Sequence, residues 1–107
     1  MNYKAMQQMA RILGRKELAL ALGIPAGKMP AELTAEQRVS LARLVDGRID
    51  DLVRGMLEEA AACDDVVNAG TAISYLEYRL EDLAEVLNED QRHLIRSRFE
   101  GHVSAWG

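Results

Sequence analysis

The chain has little of what most enzymes and secreted modules are built from: one cysteine, two prolines, two histidines and 5% aromatic residues in 107. A lone Cys63 can form neither an internal disulfide nor a cysteine metal knuckle, which fits a reducing compartment. Few aromatic and β-branched residues beside a 49% apolar content favour helices packed through Leu, Ala and Val over a sheet. No apolar run is long enough to span a bilayer. The longest near the start, Leu18 to Ile24, is a minimal and late signal segment. The expected compartment is the cytoplasm, or the periplasm if a leader preceded this start.

Catalytic groupings are missing as well. His93 and His102 are nine residues apart, which places them on opposite sides of one helix, so they cannot share an ion. Asp90-x-x-His93 would be half of a di-iron motif and lacks its other half. Ser40, Ser74, Ser97 and Ser104 lie in helical contexts, and Cys63 is flanked by Asp64 and Asp65, whose charges disfavour a nucleophilic thiolate. Gly23 to Lys28 lacks the order of a phosphate-binding loop. The expectation is therefore a non-enzyme with no cofactor, metal or small-molecule substrate.

Charge is present and unevenly spread. The net charge is −4, but residues 1–28 sum to about +4 and the remainder to about −8. An acidic body opposes nonspecific binding to nucleic acid or anionic membranes, since both require neutralised phosphates. The basic start leaves one opening, a helix-turn-helix over residues 15–33. Leu22, Gly23, Ile24 and Pro25 resemble such a turn, with a recognition helix starting near Ala26. Pro30 would interrupt that helix and only Lys28 would supply it with charge, so a DNA-binding regulator ranks second.

Organisation centres on Val66 to Leu87. Val66, Ala69, Ile73, Leu76, Leu80, Leu83 and Leu87 follow alternating steps of three and four, a narrow stripe on one helix that some neighbour must cover. Upstream, Tyr3 to Leu13 is amphipathic, Gly14 interrupts, and Arg15 to Leu22 ends at Gly23 as a C-cap. Thr34 with Gln37 forms a capping box for a helix expected to run about 28 residues. Gly47 and Gly55 inside it mark either a bend or a close approach. Asp64 or Asp65 should cap the stripe helix, and Asn88 with Gln91 should start the last one. The fold expected is all-α, with about four or five helices in an antiparallel hairpin or bundle. Residues 1–30 form a basic helical segment with a Pro/Gly loop, residues 31–107 the bundle, and a homodimer could cover the stripe.

The two helix starts match each other. Leu33, Thr34, Gln37 and Arg38 align with Leu87, Asn88, Gln91 and Arg92, and the match extends to Ile49 against Val103, as a duplication or as shared capping chemistry would produce. This element resembles the LTxxQ motif of the Spy/CpxP family of small helical periplasmic stress proteins, intact in the first copy and altered in the second. That resemblance implies an antiparallel helical dimer whose concave surface holds unfolded clients or a sensor domain.

With the stripe inward, Tyr75, Tyr78, Asp82 and Glu85 face away from it, and tyrosine is enriched at interfaces. They are the first candidate for protein binding; the alternative is that they lie over a neighbouring helix. Met6 and Met9, with Met1 and Tyr3, are the second, because methionines adapt to varied partners, although capping the core would equally explain them. The functional expectation is a regulator, adaptor or chaperone-like protein that works by contact.

Overall fold

A computed structural model of the chain describes every residue except 1, 2, 26, 29, 31 and 107. The described residues form helices and connecting turns, without strands. The helices are α1 (Tyr3–Leu13), α2 (Arg15–Leu22), α3 (Ala35–Asp46), α4 (Ile49–Ala61), α5 (Ala69–Asp82) and α6 (Glu89–Val103). They pack into a body of 43 × 25 × 21 Å.

Local chemistry sets most of the boundaries. Gly14 at φ 97° separates α1 from α2 in a conformation that L side chains rarely adopt. Gly23 at φ 69° closes α2 in a Schellman motif, its N–H donating to Leu20 O at 3.2 Å and that of Ile24 to Ala19 O at 3.0 Å. Three capping boxes open helices: Thr34 with Gln37, Asn68 with Thr71, and Asn88 with Gln91. Asn68, not Asp64 or Asp65, therefore caps α5, and the helix starts three residues later than the stripe does.

The long helix expected from Thr34 is two helices. It breaks at Gly47 and Arg48, where Arg48 takes φ −129° and ψ 24°. The Arg48 guanidinium then holds Asp51 of α4 and Glu17 of α2, ion pairs that anchor the corner and raise its already high pKa. Gly55, by contrast, stays within α4 and marks a close approach. A Cβ there would lie 2.8 Å from Ile12 Cγ2 of α1.

Helices α4 and α5 pack together and α6 packs on both, while α2 pairs with α3 and α1 with α2 and α4. The stripe is consequently covered by this chain itself: Leu76, Leu80, Leu83 and Leu87 are buried and Val66, Ala69 and Ile73 half-buried. An uncovered stripe, the ground for expecting a second copy, is not present. Residue-level repetition is visible in the fold. Helices α2 and α5 start 54 residues apart, as do α3 and α6. Leu33/Leu87, Leu41/Ile95, Val45/Phe99 and Ile49/Val103 are buried in both halves.

Candidate interaction surface on helix α5

Two polar systems meet along α5. The inner one is built on Tyr75, which is half-buried rather than outward-facing. Its hydroxyl donates to Glu59 Oε2 of α4 at 2.9 Å and accepts from Arg79 Nε at 3.2 Å, and the Arg79 guanidinium sits 5.3 Å from the ring centroid. Gln8, only 3% exposed, donates from α1 to the same Glu59 oxygen at 3.4 Å. Arg11 adds an ion pair to Glu59 Oε1 at 3.7 Å. Burial pushes the Tyr75 phenol above its ordinary pKa, Arg79 opposes that shift, and Glu59 adds to it. Tyr75 thus ties α1, α4 and α5 together, the role of a tyrosine lying over neighbouring helices.

The outer system is exposed. Tyr78 lies one turn beyond, 64% exposed, with Glu81 and Glu85 also at the surface. Asp82 stands at the border, half-buried, its Oδ2 3.5 Å from Lys4 Nζ of α1 and 3.8 Å from Arg79. Lys4, Ala5, Tyr78, Glu81, Asp82 and Glu85 frame a groove of about 400 Å³ between α1 and α5. Of the four residues singled out, Tyr78 and Asp82 of α5 and Glu85 in the turn after it therefore share this groove, and Tyr75 does not. Lys4 and Glu81 belong to it as well; the pairing of Lys4 with Asp82 spans 78 positions and had no local signal. The Glu85 carbonyl accepts from Arg38 of α3 at 3.3 Å, which fixes the turn below the groove.

Met6 and Met9 are 0% exposed, inside the core beneath α1, so in this arrangement neither can touch a partner. An amphipathic helix hides its methionines when the rest of the bundle offers it a slot. Met1, which belonged to the same group, lies outside the described residues. His93 and His102 are exposed, and among the described residues no three His, Cys, Asp or Glu side chains are grouped to hold a metal ion.

Elsewhere a larger groove of about 500 Å³ runs between α1 and α4, but its arginines already face its carboxylates, Arg11 with Glu59 and Arg54 with Asp51, both at 3.7 Å. Among the described residues no helix starts near Ala26, where a recognition helix was expected. Ala26 and Met29 lie outside the described residues, the described ones from 24 to 34 are not helical, and the next helix starts at Ala35. Among the described residues no helix is long and apolar enough to cross a membrane. Compared with family models, curated proteins and solved structures, the chain matches none.

Proposed function

We propose that the protein is a non-enzymatic contact module that engages another protein through the groove between α1 and α5. The observation that carries this reading is Tyr78. A large amphipathic side chain stands 64% exposed at the edge of a groove, with carboxylates around it and no role in the core. Its neighbour Tyr75 spends its hydroxyl on internal bonds, so the difference between the two is positional.

The likeness to LTxxQ proteins would make holding of clients one form of such contact. In this chain the motif residues themselves are engaged internally. Gln37 Oε1 accepts from Thr34 N while its Nε2 donates to Leu22 O at 3.3 Å; Gln91 does the same with Asn88 N and with Ala42 O at 3.1 Å. Any client surface would therefore be the α5 groove and not the motif.

Immobilised wild type, Tyr78→Ala and a control, Leu94→Ala on α6, test this directly by capture from the source lysate. Proteins retained by wild type and the control but lost with Tyr78→Ala support the groove. Equal retention by all three rejects it.

A further inference from the structure

We propose that the occupant of this groove is a second copy of the same chain, which inserts the outer face of its α2, so that molecules join head to tail. This rests on the contact reading above and names its partner. Leu20 is 83% exposed, the most exposed of the large apolar side chains, and stands alone on the outer face of α2. Lys16 lies one helical turn before it on the same face, with Arg15 adjacent, both exposed. Neither forms an ion pair or hydrogen bond among the described residues, and Glu17, the nearby carboxylate, is held by Arg48. The α2 face thus offers one apolar anchor flanked by unused positive charge.

The groove offers the complement. It presents Tyr78 as an apolar surface beside the exposed carboxylate of Glu81, while Asp82 already meets Lys4 and Arg79. Opposite charges on two faces of one molecule steer copies together and fix their orientation. Because the two faces lie on different helices, the contact is heterologous: each molecule can give one face and receive on the other, so the assembly grows with concentration.

Light scattering on purified full chain, at low and at high ionic strength, provides the test. The mass should rise from 11.9 kDa with concentration at low salt, and salt should return it to that of one chain. Leu20→Glu and Tyr78→Ala should each remain at one chain, weakened at least tenfold, with helical circular dichroism unchanged because both side chains are exposed. An equimolar mixture of the two variants should form a pair and nothing larger, since each retains one intact face. A wild type that stays at one chain, or a mixture that does not pair, overturns the proposal. If wild type does not self-associate and Tyr78→Ala still loses a lysate partner, the inference fails while the contact reading stands; if Tyr78→Ala loses neither, both fail.

Discussion

Replacing Gly55 by alanine should destabilise the protein, although intrinsic helix propensity says the reverse. Within a helix, alanine is favoured over glycine by about 1 kcal/mol. Here the added Cβ would meet Ile12 Cγ2 at 2.8 Å and Cγ1 at 3.1 Å, where carbon contacts are comfortable near 3.5–4.0 Å. Ile12 cannot swing clear. It branches at Cβ, both γ carbons are too close, and turning χ1 exchanges one for the other. Helix α1 must therefore move away from α4 and loosen the packing over Met6 and Met9, both 0% exposed. Overpacking of this kind costs about 1–3 kcal/mol, so the net effect runs from near zero to about 2 kcal/mol destabilising.

Gly47→Ala supplies the comparison. Its Cβ would meet only backbone oxygens, at 3.7 and 3.8 Å, and its φ of −82° suits alanine. That change should stabilise by about 0.4–1 kcal/mol through the unfolded chain. Urea unfolding followed by helical circular dichroism would read both, with the slope against denaturant unchanged. The double variant Ile12→Ala, Gly55→Ala should cost less than the sum of its parts, because removing the γ carbons makes room. If Gly55→Ala raises the midpoint as much as Gly47→Ala, the close approach of α1 to α4 is not real.

Gln91→Ala should cost about 1–2 kcal/mol, since the buried Gln91 amide serves the Asn88 cap, the half-buried Ala42 O and the exposed Asp46, while Gln37→Ala at the more exposed start should cost about 1 kcal/mol or less; thermal unfolding of the pair checks the ranking. Leu76→Ala should cost about 2–5 kcal/mol and Leu20→Ala stay within about 0.5 kcal/mol, because one is 0% and the other 83% exposed; equal effects would place the core wrongly. Tyr75 adds a pH dependence. Its folded pKa lies above the ordinary value, so its contribution to stability is full below about pH 10 and is lost as pH rises through the folded pKa. Wild type should then lose stability more steeply in that alkaline range than Tyr75→Phe does.

What could be read from residues alone was the part governed by neighbours in sequence. Thr34 with Gln37 and Asn88 with Gln91 are capping boxes because three-residue reach is local, and Gly23 stops α2 because the left-handed turn is. Asn68 escaped notice because its partner at the third position is Thr71, a hydroxyl doing what Gln or Glu usually does. Gly47 was one of two glycines read as a bend or a close approach, but nothing local decided which, nor that the bend ends one helix and starts another. Val45, Ile49, Leu52 and Val53 are all buried, so the apolar rhythm continues across a corner whose two arms share one core. Tyr75 and Tyr78 look equivalent by position relative to the stripe. A stripe defines which side of a helix is innermost, but not how far the neighbours wrap, and Glu59 of α4 reaches Tyr75 while Tyr78 stays 64% exposed.

The repeated Leu-x-x-x-Gln element shows how a motif can be conspicuous and still say little about function. In each copy the leucine is buried, at 8% for Leu33 and 2% for Leu87, and the glutamine amide accepts from its own N-cap. In each copy the amide nitrogen then donates to a carbonyl at or near the end of another helix, Leu22 of α2 in one and Ala42 of α3 in the other. One side chain thus satisfies an orphan group at the start of one helix and binds a carbonyl in the last turns of another, which ties the two together. Any helical protein that must lock two helix ends together gains from the same residues at the same spacing. The motif is therefore an account of the corners, and the differences between the halves are where function has room: Leu20 stands where the second half has Ser74, and Val39 where it has His93, both apolar and exposed on the first half only.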